Sequence, residues 1–545
     1  MTGPVTTQAP DPVPVTTGQL TGVGVGPGDP DLLTVRATRL IAAADVVAYH
    51  CAQHGNSIAR AAALPYLRDG QVEEILQYPV TTEASGRAYR DLLARFYEEA
   101  TARLAAHLEA GRDVVVLCEG DPAFYGSYQH LHTRLSGRFR AAVVPGISSL
   151  SAAAAAARVP LVQHDETLTV LPGTLPDDQL RARLAGADAV AVFKLGRTFG
   201  KVRAALDEAG LLSRARYVER AGTAAERVAP LADVDPDTVP YMSLALVPGY
   251  GRRGGLSGPA AGSAGSSDAS SGAPQPAAAP QSAAAAGSPV AAAGGVTVVG
   301  LGPGDPAWLT PEATVAIARA TDLVGYRPYL ARVPERPGQQ RHATGNTVEA
   351  RRAAHALDLA AAGHQVAVVS SGDPGVFAMA SAVIEQVAAE PGRWPGVPVT
   401  VLPGVTAAQA VAARVGAPLG HDYCVISLSD RLKPWDVIAG RIDKAAAADL
   451  VLALYNPASR RRTWQLAAVR DLVLRHRGPA TPVVLGHGVG RDGERVTVTT
   501  LAGLDPADVD MSTLVIIGSS QTTVHDRPGG QLVFTPRHYE AADQD

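Results

Sequence analysis

The sequence predicts an α/β protein made of two tandem copies of one mainly parallel unit. Three observations predict it. The segment Val23-Gly24-Val25-Gly26-Pro27-Gly28-Asp29-Pro30-Asp31-Leu32-Leu33-Thr34 returns almost unchanged as Val299-Gly300-Leu301-Gly302-Pro303-Gly304-Asp305-Pro306-Ala307-Trp308-Leu309-Thr310. Short apolar runs alternate with helical patterns over residues 19–247, and again over residues 296–524. Between them, residues 248–295 change abruptly to Ala, Gly, Ser and Pro, which cannot bury a core and read as a flexible tether.

In chain order, residues 1–18 are rich in Pro, Thr and Val without a period and read as a disordered tail. Each repeated segment then begins as an apolar strand and becomes a Gly/Pro loop. It passes into a helical pattern, Val35 to Ala44 in the first block and Ala313 to Ala320 in the second. The glycines allow a sharp turn and close approach of a ligand to the main chain. Asp29 and Asp305 are placed to cap the following helix. The segment is not a dinucleotide fingerprint, because Asp29 stands where the third glycine would be. Nor is it a phosphate-binding Walker loop, because no Gly-Lys-Ser/Thr follows.

Two further stations match. Val114-Val115-Val116-Leu117-Cys118-Glu119-Gly120-Asp121-Pro122 corresponds to Val366-Ala367-Val368-Val369-Ser370-Ser371-Gly372-Asp373-Pro374, and Val143-Val144-Pro145-Gly146-Ile147-Ser148-Ser149 to Val401-Leu402-Pro403-Gly404-Val405-Thr406-Ala407. In each, an apolar run passes directly into Gly, Pro, Asp or hydroxyl residues. Each block therefore carries three loops at the carboxyl ends of strands, where open α/β sheets bind ligands. The stations keep the same order in both blocks, which indicates duplication and fusion rather than a many-unit solenoid. Residues 525–545 read as a polar tail.

Composition narrows the function. A chain of 545 residues exceeds a single core, and a 46% hydrophobic fraction supports well-buried ones. A net charge of −4 gives no footprint for nucleic acid. Cys51, Cys118 and Cys424 make no disulfide framework and fit a reducing compartment. No secretory signal pattern and no apolar run of membrane-spanning length is present. The expectation is a soluble, cytoplasmic protein that binds neither nucleic acid nor membrane. His50, Cys51 and His54 are too few for structural zinc, so no metal site is expected.

Glycine-lined bays with backbone donors and few charges suit a neutral-to-zwitterionic ligand with an adenine, a ribose and an amino-acid tail. No lysine lies inside these loops to meet a triphosphate. The residues by themselves lead to a nucleoside-like ligand at two similar sites.

The combination Gly-x-Gly-Pro-Gly-Asp-x-x-Leu-x-Thr, Gly-Asp-Pro and Pro-Gly-Ile/Val-Ser/Thr resembles the tetrapyrrole methyltransferases that use S-adenosyl-L-methionine. The first block adds Leu117 to Ser127, Leu171-Pro172-Gly173-Thr174-Leu175, Lys194-Leu195-Gly196-Arg197 and Tyr217-Val218-Glu219-Arg220-Ala221, which resemble precorrin-2 C(20)-methyltransferase. The second adds Gly325-Tyr326-Arg327-Pro328-Tyr329, Gly372 to Met379, Pro418 to Asp422, Ile426 to Asp430 and Leu454-Tyr455-Asn456-Pro457, which resemble precorrin-3B C(17)-methyltransferase.

The resemblance implies two tandem methylase folds, over residues 19–247 and 296–524, each of two α/β subdomains with a cofactor cleft between them. Carried over by position, the first cofactor site takes Pro27, Glu119, Gly120, Asp121, Phe124, Ser148, Ser149, Leu195 and Ala221. The second takes Pro303, Ser371, Gly372, Asp373, Val376, Thr406, Ala407, Asn456 and Val489. Tyr49, Lys194, Arg197, Tyr326, Arg327 and Arg460 are the substrate candidates, arginine being suited to a macrocycle that carries many carboxylates. For Tyr125 and Tyr128 both core packing and stacking on the macrocycle stay open.

Relatives that methylate uroporphyrinogen have an acidic residue after the second strand. His50 and Arg327 stand there in this chain, so no acidic proton acceptor is carried over. His50, His421, Asp422 and Asp430 are acid–base candidates without an assigned role. The implied chemistry is transfer of a methyl group from a sulfonium to an electron-rich ring carbon, which asks for alignment and exclusion of water more than for a strong base. The second block adds ring contraction. The nearest alternative is the same pair of methylations on cobalt-bound intermediates. An RNA or protein-histidine methyltransferase and a scaffold with one degenerate block are the others. The subfamily marks argue against the first of these and the intact loops against the second. The chain's own residues give no oligomeric state; relatives with this fold commonly pair as homodimers.

Overall fold

The computed structural model describes residues 17–249 and 294–536, except 53–54, 56, 80–86, 164–165, 346–347, 431–432, 460–461 and 528–529, with backbone alone for 87–90. The expected N-terminal tail and tether lie almost wholly outside the described residues.

The first unit opens with five parallel strands, β1 (Gln19–Gly24), β2 (Val46–Cys51), β3 (Val72–Gln77), β4 (Val114–Cys118) and β5 (Arg140–Val144). They form a sheet of order β3-β2-β4-β1-β5. Every residue of β4, Val-Val-Val-Leu-Cys, is buried, as a strand covered by helices on both faces requires. Five more strands follow: β6 (Thr167–Pro172), β7 (Ala189–Phe193), β8 (Arg216–Glu219), β9 (Arg227–Pro230) and β10 (Ser243–Val247).

The second unit repeats the plan. Strands β11 (Gly295–Gly300), β12 (Asp322–Tyr326), β13 (Gln340–Thr344), β14 (Gln365–Ser370) and β15 (Val399–Leu402) pair in the matching order β13-β12-β14-β11-β15. After the short β16 (Gly416–Ala417) come β17 (Tyr423–Ser427), β18 (Val451–Tyr455), β19 (Pro482–His487), β20 (Arg495–Thr500) and β21 (Thr513–Ile517).

The later strand sets of the two units form one sheet. Its order is β20-β19-β21-β18-β17-β6-β7-β10-β8-β9. The junction is the antiparallel pair β6–β17, with Tyr423 opposite Val170 and Ile426 opposite Thr167. Outward from that pair both arms run in the same order, so the junction is a pseudo-twofold axis. Both faces are packed across it. Phe199 and Val192 share one core with Ile426, Leu452 and Leu485, while Leu150 and Val162 share another with Val376, Ala408 and Val411. Each fully buried Leu, Ile or Val there contributes roughly 1.5–3 kcal/mol, which binds the units into one body.

Two sequence expectations are corrected. Asp29 and Asp305 cap short 3-10 turns, Pro30–Leu32 and Pro306–Trp308, each accepting from the N–H two residues on at 2.8 Å. The helices Val35–Ala43 and Pro311–Arg319 are capped by Thr34 and Thr310, whose hydroxyls accept from Ala37 and Ala313 at 3.1 Å. Proline at the first position of each turn fixes φ and lets it precede the helix. The polar tail also begins later than residue 525. Strands β22 (Thr523–Arg527) and β23 (Gly530–Phe534) form a hairpin, and β23 pairs with β16. Leu532 and Val533 are buried there, too few apolar residues for the alternation to stand out in sequence.

Candidate active sites

The three glycine loops of each unit meet at one backbone frame. In the first unit, Gly120 N–H donates to Gly26 O at 2.7 Å and Gly26 N–H to Gly120 O at 3.3 Å. A Cβ on Gly24 would overlap the main chain of Gly146, and one on Gly146 would overlap the carbonyl of Gly120. The strand ends thus approach as closely as glycine alone permits. The second unit repeats this with Gly372 N–H to Gly302 O at 2.9 Å, Gly302 N–H to Gly372 O at 3.2 Å, and the same close packing of Gly300, Gly372 and Gly404. Gly120 and Gly372 have φ of 63° and 67°, and a Cβ on either would meet no atom nearer than 3.7 Å. Both glycines sit at van der Waals distance from the Pro-Gly-Ile/Val-Ser/Thr loop, and Gly372 lines the cavity described below.

The aspartates of both Gly-Asp-Pro loops are struts of this frame. Asp121 Oδ1 accepts from Ala123 N–H at 2.8 Å and Oδ2 from Gly146 N–H at 3.2 Å. Asp373 accepts from Gly375 at 2.8 Å and Gly404 at 3.1 Å. Burial pushes their carboxyls up, to about 7 for Asp121 and about 6 for Asp373, against the pull of those amides. Both aspartates therefore shape the loops expected to meet the cofactor, whatever direct contact they make in addition.

The later sheet closes each frame from the other side. Gly222 packs against Pro27 and Gly490 against Gly304. Gly222 N–H donates to Glu226 Oε2 at 2.8 Å and Gly490 N–H to Glu494 Oε2 at 2.7 Å. This Gly-x-x-x-Glu-Arg-Val station is a fourth internal match that sequence reading passed over. Among described non-glycine residues seven have positive φ; Lys194, Arg220 and Asn456 directly follow strands, and Tyr125 and Phe377 lie at matched places in the Gly-Asp-Pro loops. Such strain clusters where a fold holds a ligand.

In the second unit the loops enclose a cavity of about 980 Å³. Pro303, Ser371, Gly372, Asp373, Val376, Thr406, Ala407, Asn456 and Val489 all line it. So do Tyr326 and four arginines absent from the carried-over set, Arg351, Arg352, Arg462 and Arg491. Arg491 Nε donates to Pro303 O at 2.9 Å, tying the two subdomains together. Arg332, also missed, donates to the carbonyls of Leu301, Gly302 and Gly304 at 2.8–2.9 Å and to Ser371 Oγ at 3.1 Å. Burial and the nearby Arg491 lower its guanidinium to about 10. Arg491 was findable, two positions after Val489; Arg332 sits outside every motif.

In the first unit Phe124 meets the Phe193 and Tyr423 rings edge-on at 5.3 and 5.4 Å, and Ser148 caps the helix Ser149–Ala156. Glu119 is exposed beside Gly120, and Ala221 adjoins Gly222. Lys194 Nζ lies 4.7 Å from the centre of the Tyr125 ring, while Arg197 is exposed on a 3-10 turn. Leu195 is corrected: its side chain is wholly buried in the shared core. Tyr128 is core, 1% exposed, with its hydroxyl on Ala142 O at 3.1 Å.

The pairing registers correct the match after the second strand. Tyr49 lies opposite Leu117 and Gly325 opposite Val369, so Gly325 is the counterpart of Tyr49, and Tyr326 that of His50. A one-residue offset puts a side chain on the other face. Tyr49 is accordingly buried, its hydroxyl donating to Glu73 Oε2 at 2.9 Å, and is no substrate contact. His50 stacks on Tyr78 with ring centres 5.1 Å apart. Arg327, exposed at a helix start, is not among the cavity-lining residues, and Arg460 and His54 lie outside the described residues.

His421 and Asp422 are corrected as well. Neither lines the second cavity. Asp422, 1% exposed, takes the Arg183 guanidinium and the Tyr125 hydroxyl (3.3 Å) of the first unit, so it fastens the junction. His421 is buried beside it, and burial lowers its imidazole. Asp430 accepts from Gln465 Nε2 at 2.8 Å and lies 3.8 Å from Arg462. Among the described residues no group of three or more His, Cys, Asp or Glu could hold a metal, and no helix is long and apolar enough to cross a membrane.

The profile of the tetrapyrrole (corrin/porphyrin) methylases matches twice, over residues 19–235 and 295–505. The chain is 56% identical over 531 residues to the cobalamin biosynthesis protein CobIJ of Mycobacterium tuberculosis, covering 96% of this chain and 97% of that one. It is 50% identical over 252 residues to the precorrin-3B C(17)-methyltransferase of a Sinorhizobium species, covering 46% of this chain and 99% of the relative. It is 46% identical over 235 residues to the precorrin-2 C(20)-methyltransferase of the same genus, covering 43% and 96%.

Proposed function

The chain belongs to the tetrapyrrole (corrin/porphyrin) methylases and is a bifunctional methyltransferase of cobalamin biosynthesis; from that premise we propose that its N-terminal unit methylates precorrin-2 at C(20) and its C-terminal unit methylates precorrin-3B at C(17), with ring contraction. The observation that carries the assignment is the twofold occurrence of one glycine frame whose donors are backbone amides. Each frame would hold one S-adenosyl-L-methionine, and the enzyme would work in the cytoplasm on metal-free tetrapyrroles.

The residues fit that cofactor. Ser371, Gly372 and Ala407 line a cavity with room for a nucleoside, the first unit repeats their loops, and no lysine stands in the loops to favour a polyphosphate. When bound, S-adenosyl-L-methionine supplies a methyl group on a positively charged sulfur. The chain's own part is alignment and exclusion of water. Pro27 against Gly222, and Arg491 on the carbonyl of Pro303, hold the two walls of each cleft at a set spacing. In the second cleft Arg351 and Arg491 offer donors for peripheral carboxylates, a role proposed for Lys194 and Arg197 in the first, while the buried Arg352 and Arg462 are held by Thr344, Gly345 and Asp430.

The test supplies the full chain with precorrin-2 and methyl-labelled cofactor, with and without the enzyme that hydroxylates the first product. Label at C(20) alone without it, and at C(20) and C(17) with it, is expected. Incorporation only with cobalt-loaded substrate would replace the substrate class, and no incorporation at either carbon would end the reading.

A further inference from the structure

The helices that start at the Pro-Gly-Ile/Val-Ser/Thr loops reach across the pseudo-twofold axis. The helix Ala407–Val415 packs on β5 of the first unit, and the helix Ser149–Ala156 packs on β15 of the second. At the third position of each stands a buried polar residue, Gln409 and Ser151, 5% and 2% exposed.

Gln409 has two jobs. Its Oε1 accepts from Thr406 N–H at 3.2 Å and Thr406 Oγ1 at 3.0 Å, while Thr406 Oγ1 accepts from Gln409 N–H at 3.1 Å, a closed capping box in the second unit. Its Nε2 leaves that unit, donating to Gly146 O at 3.2 Å and toward the carboxylate of Asp121. Ser151 does the same in reverse. Its N–H donates to Ser148 Oγ at 3.2 Å within the first unit, and its buried hydroxyl lies near enough to Asp373 of the second to lower that carboxyl. Each contact falls where an aspartate strut holds the other unit's frame: Gly146, which Gln409 meets, is itself held by Asp121, and Ser151 neighbours Asp373. The loop Leu161–Val162 adds to this by donating both its N–H groups to Gly375 O, at 3.1 and 3.2 Å.

We propose that Gln409 and Ser151 are positioning residues acting in trans: each sets the cofactor loops of the opposite unit, so each methylation depends on a side chain supplied by the other half of the chain. This rests on the assignment of a cofactor to each frame. A buried frame whose amides and carboxylate are held by neighbours keeps its shape with or without ligand, and removing one donor loosens it where the donor lands, not where the donor is rooted.

Gln409→Glu separates the two jobs. A glutamate at this position still closes the capping box with Thr406, but once ionised it cannot donate to Gly146 O and it sets a second carboxylate against Asp121. In the full chain it is expected to raise KM for the cofactor in C(20) methylation roughly tenfold or more, through one lost buried hydrogen bond and the repulsion at Asp121. C(17) methylation should stay within about twofold. Ser151→Ala, a mild change inside a helix, should give the opposite pattern, with kcat less affected than KM in both. Calorimetric titration of the wild-type chain with S-adenosylhomocysteine accompanies the assays. Two binding sites in the wild type and a crossed loss in the variants support the proposal. Two sites with no change in either variant, or a loss confined to the variant's own unit or equal in both, overturn it. A wild type that binds none overturns the functional assignment itself.

Discussion

Where the second cavity is lined by Ser371, Arg491 and Tyr326, the first unit has Glu119, Thr223 and His50 at the matched backbone positions. The glycines and the aspartate struts beneath them do not change. The backbone frame therefore answers to what both units share, and the side chains around it to what distinguishes their substrates. The second cleft gathers arginines at its wall, with Arg332 locked into the loop itself, whereas Lys194 and Arg197 are the basic candidates named for the first.

The comparison breaks most completely at the frame. Gly146→Ala and Gly404→Ala each drive a Cβ into a carbonyl oxygen that cannot move away. Each is expected to lower stability by about 3 kcal/mol or more and to abolish its own unit's methylation, checked by thermal melting and separate label assays. If either variant keeps both activities, the two frames are not equivalent. Asp121→Ala and Asp373→Ala come next. Each leaves two buried N–H groups unmet, at about 1–3 kcal/mol apiece, and should cut its own reaction ten- to hundredfold.

Arg491→Thr, which copies the first unit into the second, should raise KM for the tetrapyrrole at C(17) about tenfold and leave C(20) unchanged. Titration separates the struts further. Both carboxyls lie above their unfolded value, so the folded state binds more protons, and stability is full below about pH 4 and falls as pH rises through about 7 for Asp121 and about 6 for Asp373. Between pH 6 and 8 the loss is about 1 kcal/mol for Asp121 and a few tenths for Asp373. Denaturant unfolding of Asp121→Asn and Asp373→Asn across that range should show the larger flattening in the first. The smallest effect tests the register. Tyr49→Phe removes one hydrogen bond on the face away from the cleft and should cost about 0.5–1 kcal/mol with no change in either KM. A raised KM would put Tyr49 back among the substrate contacts.

Residues with backbone meaning were legible before any coordinates. Gly24 and Gly146 mark a close approach that no other residue tolerates, Gly120 a positive φ between them, and the repeat at Gly300, Gly372 and Gly404 located the second frame. Strand faces were not. Tyr49-His50 and Tyr326-Arg327 look alike as letters, but the register sets them one residue apart, and only the pairing of β12 with β14 reveals it. The shared sheet was equally hidden. Thr167–Pro172 and Tyr423–Ser427 each read as buried strands, and nothing in a buried strand names its neighbour. His421 and Asp422 drew attention as a polar pair and turned out to be fasteners, since the charge that balances Asp422 comes from Arg183 in the other unit.

The joint between β6 and β17 has a bearing on how the protein is made. About 250 residues of chain separate the two strands, which at roughly 5–20 residues per second leaves the edge of β6 unpartnered on the ribosome for about 12–50 s. An open edge of that kind templates pairing with any passing strand, and the nearest match is the same strand on a neighbouring nascent chain. A chain truncated after Val247 is therefore expected to sediment as a dimer joined through β6; a monomer would mean that the edge is shielded during synthesis by some other segment.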